Sequence, residues 1–186
     1  MYFRMSKIIN DAVKVLRAGG VVGFPTDTVY AIAAAADNQV AVEKLYAIKK
    51  RDRKKPLQIL LDSIESAKNI GHFSMEALDL AEKYWPGALT MVVPSLNNPR
   101  ETIGIRIPDH PLALELLQTF GQPLTATSAN ISGLMSAIDE KTAEAAFPPG
   151  AVDIFIPGNC VSALGSTVID MTGKKPVVLR RGGIIL

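Results

Sequence analysis

Segments with the apolar repeat of a helix alternate along this chain with short apolar runs that are typical of buried strands. The predicted helices begin at the cap Ser6, at the cap Asn38, at 74 and at 111, and the first of them ends at Gly19-Gly20. Strands are predicted at 21–24, 57–61, 89–93, 103–107, 153–156, 167–170 and 176–180, with a closing hairpin around Thr172-Gly173. This order restricts the chain to the α/β class, also classifiable as α+β, with three layers and a sheet of mixed parallel and antiparallel strands.

Length and composition indicate a single globular domain, residues 1–186. Apolar residues make up 48% of the chain and charged residues 20%, and the formal net charge of +2 is too small to imply nucleic-acid binding by itself. Cys160 is the only cysteine, so no internal disulfide forms, which fits a reducing compartment. The sequence contains no recognisable signal peptide and no apolar run near the ~20 residues that cross a bilayer. We therefore expect a cytoplasmic protein without a membrane partner.

Residues 125–133, Thr-Ala-Thr-Ser-Ala-Asn-Ile-Ser-Gly, follow a predicted strand that begins at Gln122. Ser128, Asn130 and Ser132 can each form hydrogen bonds, and the small residues around them let a ligand approach the backbone. Because open α/β sheets bind ligands at the carboxyl ends of their strands, we expect a ligand-binding loop here. A Ser/Asn-rich turn without a ligand is the alternative.

A dense basic cluster lies between a predicted helix and a predicted strand. Its six cations occupy seven positions: Lys49, Lys50, Arg51, Arg53, Lys54 and Lys55. They repel one another unless they are solvated or matched to an anion, and arginine can grip phosphate oxygens with two hydrogen bonds. The cluster indicates either an anion site or a solvated helix C-terminus whose cations interact with the helix dipole.

Thr26, Asp27 and Thr28 follow the predicted strand 21–24 directly. Two hydroxyls and a carboxylate at the end of a buried strand can position a small polar substrate or assist a metal bound to it. Because Thr and Asp are also good N-caps, a helix cap is the alternative.

Arg106 alternates with isoleucines in the predicted strand 103–107, so it projects to the opposite face, on the same side as Thr102. A half-buried arginine needs an anionic or hydrogen-bonding partner. That partner is either a ligand or a salt bridge to Asp109 or Glu101.

The two commonest nucleotide-binding motifs are missing. The sequence has no Gly-x-x-x-x-Gly-Lys-Ser/Thr loop and no Gly-x-Gly-x-x-Gly after a strand, and it also lacks the Gly-x-Ser-x-Gly of α/β hydrolases. Any nucleotide is therefore bound by another kind of site.

Seven segments, taken together and in order, resemble the threonylcarbamoyl-AMP synthase family, the YrdC-type enzymes. They are Phe24-Pro-Thr-Asp-Thr-Val-Tyr30, Lys49-x-Arg51 with Lys55-Pro56-Leu57, Trp85-Pro86-Gly87, Gly104-Ile-Arg-Ile-Pro108, Ser128-Ala-Asn130 with Ser132-Gly133, Gly165-Ser-Thr-Val168 and Leu179-Arg180. The match runs from about residue 7 to the C-terminus.

The resemblance implies a YrdC-like fold, a twisted, open mixed sheet flanked by helices with a wide concave positive surface. It also implies a nucleotidyltransferase that converts L-threonine, bicarbonate or CO2, and ATP to L-threonylcarbamoyl-AMP and pyrophosphate. The product is used for N6-threonylcarbamoyladenosine (t6A) at position 37 of tRNA, by a separate threonylcarbamoyl-transferase complex.

The resemblance also assigns residues. Thr28, Arg106, Ala126 and Ser166 match positions that hold L-threonine. Arg51, Lys55, Thr102, Ser128, Ser136 and Arg180 match positions that hold ATP. Lys49, Arg51, Ser128 and Asn130 form the expected catalytic group, with Lys49 and Asn130 completing the Lys-x-Arg and Ser-x-Asn signatures. Mg2+ is expected with ATP, held mainly by phosphate oxygens, and no protein ligand to it is assigned.

Three positions depart from the family's pattern. Ala31 stands where a glycine is usual, Leu60 where some relatives have a histidine that contacts threonine, and Lys50 where glycine is frequent. A double-stranded RNA or tRNA-binding module without its own catalysis is the competing function. A carbamoyl-transfer domain of the kind embedded in hydrogenase-maturation proteins is a third, but those chains carry zinc-finger-like cysteines that this one lacks.

Overall fold

The computed structural model describes residues 2–185. Its helices are α1 (Tyr2–Arg17), α2 (Gln39–Lys49), α3 (Ile64–Lys68), α4 (Met75–Tyr84), α5 (Pro111–Phe120) and α6 (Glu140–Ala145). Its strands are β1 (Val22–Phe24), β2 (Ala31–Ala35), β3 (Gln58–Leu60), β4 (Leu89–Pro94), β5 (Thr102–Arg106), β6 (Leu124–Ser128), β7 (Ile154–Phe155), β8 (Thr167–Asp170) and β9 (Val177–Arg180). Within these residues, no helix is long and apolar enough to cross a membrane.

All these strands join one sheet in the order β7-β1-β2-β6-β3-β5-β4-β8-β9. The pairs β1–β7, β3–β5 and β4–β8 are parallel, and the other pairs are antiparallel. The mixed open sheet and the closing hairpin between β8 and β9 confirm the expected architecture.

The alternation of side chains in β2 shows how the helices form the outer layers. Ala31, Ala33 and Ala35 pack in one core cluster with α1 and α5, whereas Ile32 and Ala34 pack in another with α2. The face that carries α1 and α5 is called the front face below. Helices on both sides of the sheet give the three predicted layers.

The front face is covered over only part of its width. In β5, Ile103 and Ile105 pack toward the back with α4, while Thr102, Gly104 and Arg106 project to the front. Among the described residues, the cluster of α1 and α5 includes none from β4, β8 or β9. The front of those strands is therefore left open, and it forms the concave floor of a site.

Several local predictions need correction. Ser6 lies inside α1, which begins at Tyr2, so it does not cap that helix. Thr125–Ser128 continue strand β6 because β2 and β3 pair on both of its sides, and the expected loop starts only after Ser128. Strand β2 was not predicted because alanine, its main residue, has low strand propensity. The short helices α3 and α6 were also not predicted.

Helix α2 ends in a Schellman motif, with Lys50 at the left-handed position (φ 48°, ψ 43°). The Lys50 N–H donates to Ala47 O at 3.1 Å, and the Arg51 N–H donates to Tyr46 O at 3.0 Å. The motif turns the chain out of the helix and places Arg51 at the site described below.

Replacing Lys50 with glycine should therefore raise the free energy of unfolding by about 1 kcal/mol, because glycine has no Cβ to crowd the left-handed conformation. Denaturant unfolding measures the change. Lys50→Ala is the matched control: it removes the same charge but keeps Cβ. An equal gain in both variants would assign the effect to charge instead.

Candidate functional site

A cavity of about 330 Å³ lies on the open part of the front face. Its walls come from the loop after β1, the segment after α2, strands β3 to β6, and the β8–β9 region. Among the described residues that line it are Arg51, Arg106 and Arg180, eight serines and threonines, and no Asp or Glu. Positive charge and hydroxyls without carboxylates suit an anionic ligand with several hydrogen-bonding groups.

The cavity brings together most of the residues expected from the sequence. Those that line it are Thr28, Arg51, Thr102, Arg106, Ala126, Ser128, Ser136, Ser166 and Arg180. Lys49, Lys55 and Asn130 are not among the lining residues. Ala31 and Leu60, the two departures that bear on the substrate pocket, do line it.

Sequence reasoning missed several lining residues, including Gln58, Thr90 and Val92. Thr90 and Val92 alternate in β4 with the core residues Leu89, Met91 and Val93. That alternation was the available signal, since it places Thr90 and Val92 on the face opposite the core.

Arg106 is held in a buried network at the carboxyl end of β5, with 3% of its side chain exposed. It forms an ion pair with Asp27, and its Nη1 and Nε donate to Thr28 Oγ1 at 2.8 Å and to Gly87 O at 3.0 Å. Burial lowers the pKa of Arg106, and Asp27 opposes that shift. The proposed salt-bridge partners Asp109 and Glu101 were wrong: the partner comes from the loop after β1.

Arg180 and Ser166 form a second network. Arg180 Nη2 donates to Ser166 O at 2.8 Å and to Ser166 Oγ at 3.0 Å. Ser166 Oγ shares a 2.8 Å hydrogen bond with Thr90 Oγ1, which donates to Gln58 Oε1 at 3.0 Å. Strands β3, β4 and β9 are thereby tied together on the cavity floor.

Arg51 and Arg180 are close enough to influence each other. Burial lowers the pKa of Arg180, and the charge of Arg51 lowers it further. Among the described residues, Arg51 bonds only backbone oxygens, with Nε donating to Lys55 O at 2.9 Å and Nη2 to Pro56 O at 3.0 Å. Within residues 2–185, neither arginine has a carboxylate partner in an ion pair. A bound anion would relieve their repulsion.

The residues of the basic cluster lie in different environments, so neither of the two interpretations made from the sequence fits all of them. Arg51 faces the cavity, Arg53 forms an exposed ion pair with Glu43, and Lys54 and Lys55 are exposed. Lys49 is 1% exposed. The solvated interpretation thus fits the residues that follow Arg51, whereas for Arg51 the anion site stays a prediction.

Lys49 lies behind Ser128. Its Nζ donates to Ser128 O at 2.6 Å and to Asn130 Oδ1 at 2.7 Å. Ser128 Oγ donates to the same Asn130 Oδ1 at 2.6 Å. Burial, followed by the charge of Arg51, lowers the pKa of Lys49 to about 8.

Comparisons with known proteins find relatives over most of the chain. The family model Sua5_yciO_yrdC, described as "Telomere recombination", matches residues 14–182. The threonylcarbamoyl-AMP synthase of Bacillus subtilis (strain 168) is 37% identical over 185 residues, which is 95% of this chain and 54% of that protein. A putative threonylcarbamoyl-AMP synthase of Mycobacterium tuberculosis (strain H37Rv) is 36% identical, over 96% of this chain and 86% of that protein.

Solved structures are similar as well. The crystal structure of Pyrococcus abyssi Sua5 complexed with L-threonine has a TM-score of 0.88 and 36% identity, over 94% of this chain and 54% of that one. Escherichia coli YciO has a TM-score of 0.86 and 28% identity, over 95% of this chain and 89% of that one. The chain thus spans about half the length of the Bacillus and Pyrococcus relatives.

Proposed function

Because this chain belongs to the Sua5/YciO/YrdC family, we propose that it is a threonylcarbamoyl-AMP synthase. It would convert L-threonine, bicarbonate or CO2, and ATP to L-threonylcarbamoyl-AMP and pyrophosphate. The observation that carries the proposal is the cavity itself: its described lining residues include three arginines and many hydroxyls but no carboxylate. That lining suits a triphosphate beside a small hydroxylated amino acid.

The triphosphate is assigned to the side of the cavity where Arg51 and Arg180 lie. Each arginine has N–H groups beyond those bonded to backbone oxygens, and these can bind phosphate oxygens. Ser128, Ser136 and Thr102 add hydroxyls to the same cavity. Lys55 is exposed beside Arg51, so its ammonium would contact the phosphates only from the rim.

L-Threonine is assigned to the side where Arg106, Thr28, Ala126 and Ser166 lie. Three N–H groups of Arg106 are engaged within the protein, and the guanidinium has others that can bind a carboxylate. Asp27 and Thr28 fix the plane of that guanidinium, which sets the direction from which a carboxylate can bind.

The chemistry needs charge stabilisation more than a protein nucleophile. The threonine amine adds to CO2 and loses a proton, giving a carbamate. A carbamate oxygen then attacks the α-phosphorus of ATP, and the bond from the α-phosphorus to the bridging oxygen breaks, so pyrophosphate leaves with the electron pair. Arg51 and Arg180 would stabilise the charge on the α-phosphate and on the leaving group. The Ser128 hydroxyl would join them by turning its hydrogen from Asn130 Oδ1 to a phosphate oxygen.

Mg2+ enters this scheme as part of the substrate, bound to ATP. The described residues that line the cavity include no carboxylate, and residues 2–185 contain no cluster of acidic, histidine or cysteine side chains suited to a metal. The proposal therefore assigns no protein ligand to Mg2+, and phosphate oxygens and water would bind it.

The proposal extends to the fate of the product. Threonylcarbamoyl-AMP would pass, in the cytoplasm, to a threonylcarbamoyl-transferase complex that modifies tRNA. Binding of tRNA or other double-stranded RNA by the exposed part of the basic cluster, Arg53–Lys55, would be additional. It would weaken steeply with salt, as phosphate contacts do.

Pure protein incubated with ATP, bicarbonate and radiolabelled L-threonine should release pyrophosphate and form a labelled adenylate. Ser128→Ala should slow this reaction about 100-fold or more, because it removes a hydroxyl of the cavity wall that would turn to donate to the reacting phosphate. Ser132→Ala is the matched control, since Ser132 is exposed and does not line the cavity. Salt-sensitive RNA binding with no threonine-dependent pyrophosphate would instead favour the RNA-binding module.

A further inference from the structure

Lys49 is a lysine at the end of α2 whose ammonium is enclosed by the last residue of β6 and the segment that follows it. Nζ donates to Ser128 O and Asn130 Oδ1 and lies 3.4 Å from Ser128 Oγ. An ammonium has three N–H donors, and these three oxygens surround it. No donor of Lys49 is left for a ligand in the cavity.

The backbone of Lys49 holds the same segment from the other side. The Ser132 N–H donates to Lys49 O at 3.1 Å, so residues 128–132 wrap around the end of α2. Asn130 Nδ2 donates to Leu134 O at 2.6 Å, which turns Oδ1 of the amide toward Lys49. Residues 128–134, the Ser128 loop, are therefore tied to one buried cation.

No carboxylate compensates this charge among the described residues. Arg51 is the charged group that acts on it, and burial together with Arg51 lowers its pKa. An uncompensated buried cation is costly, so packing alone does not account for a lysine here. The hydrogen bonds that its three N–H donors form with the Ser128 and Asn130 oxygens do account for it.

We infer that Lys49 is a positioning residue, which fixes the Ser128 hydroxyl and the Ser128 loop from behind and does not itself contact the nucleotide. The inference deepens the proposed function and rests on it for the identity of the ligand. It also separates the Lys-x-Arg signature into two roles: Lys49 orders the loop, and Arg51 binds the anion.

The first test uses Lys49→Met, which keeps much of the length but none of the donors. Amide hydrogen exchange in the Ser128 loop should become at least ~10-fold faster, because the loop loses its anchor, while exchange in β2 stays unchanged. Lys54→Met is the matched control, since Lys54 is an exposed cation of the same cluster. If Lys49→Met does not fold, it is replaced by Lys49→Gln, whose shorter side chain has two N–H donors in place of three. Unchanged exchange in the loop would overturn the inference.

The second test is a double-mutant cycle with Ser128→Ala, read as pyrophosphate release and as ATP affinity. Lys49→Met alone should lower the rate roughly 10- to 100-fold, as loss of a supporting contact does. The double variant should be no slower than Ser128→Ala, because Lys49 acts through Ser128. If the rate losses of the two single variants instead multiplied in the double variant, Lys49 would contact the nucleotide independently of Ser128. If the wild type lacks the activity, the proposed function fails, but hydrogen exchange still tests the inference.

Discussion

Replacing Arg106 with methionine should abolish threonine-dependent pyrophosphate release and lower the free energy of unfolding by about 3–5 kcal/mol. The loss of activity follows from the proposed role of the guanidinium, which holds the threonine carboxylate. The loss of stability follows from Asp27, which is only 10% exposed and would keep its negative charge without a partner. Urea unfolding and the radiolabelled-threonine assay measure the two effects.

The double variant Arg106→Met/Asp27→Asn separates these causes. Replacing the carboxylate by a neutral amide removes the unpaired charge, so most of the lost stability should return. Activity should not return, because the guanidinium is still missing. If activity recovered with stability, Arg106 would be a structural residue and the threonine site would lie elsewhere.

Replacing Arg51 with glutamine should slow the reaction by ~10²–10³-fold, the cost of removing a positioned charge from a phosphoryl-transfer site. The melting temperature should hardly change. In the part of the chain that the structure describes, Arg51 bonds only Lys55 O and Pro56 O. These oxygens lie in an exposed segment, where water can replace the guanidinium. The rate of pyrophosphate release at saturating threonine and varied ATP gives both kcat and KM.

Arg53→Gln provides a matched comparison two positions away. It removes the same charge, but Arg53 pairs with Glu43 at the surface and does not line the cavity. The surface pair contributes little to stability, so this variant should remain active and folded. Equal losses in the two variants would mean that the overall charge of the cluster matters, and not the place of Arg51 in the cavity.

The parts of the fold that could be predicted are those governed by neighbours in sequence. Helix α5 has the bounds that its apolar repeat and Pro111 predict, and Asn38 caps α2 as expected, accepting from the Ala41 N–H at 3.1 Å. The alternation in β5 correctly placed Arg106 and Thr102 on one face, where both line the cavity. Local patterns suffice for such features because they depend on periodicity and capping.

The features that could not be predicted depend on strand order. Asp27 pairs with Arg106 because the sheet and its loops bring the end of β1 near the end of β5, and no local pattern encodes that. The resemblance predicts Lys49 in the catalytic group beside Arg51, but Lys49 is not among the residues that line the cavity. The turn at Lys50 reverses the chain, so Lys49 points into the protein while Arg51 points into the cavity. The basic cluster in the sequence could not show which of Lys49 and Arg51 would be enclosed.

Strand β5 contributes side chains to both the core and the cavity, and this limits how its sequence can change. Ile105 contributes to the core on one face, and Arg106 contributes to the cavity on the other. Inserting or deleting one residue within the strand would exchange these faces, placing a guanidinium among apolar side chains and an isoleucine where a carboxylate should bind. Variation in length among functional versions of this domain should therefore be confined to the connections, while the strands of the cavity floor keep a fixed count of residues.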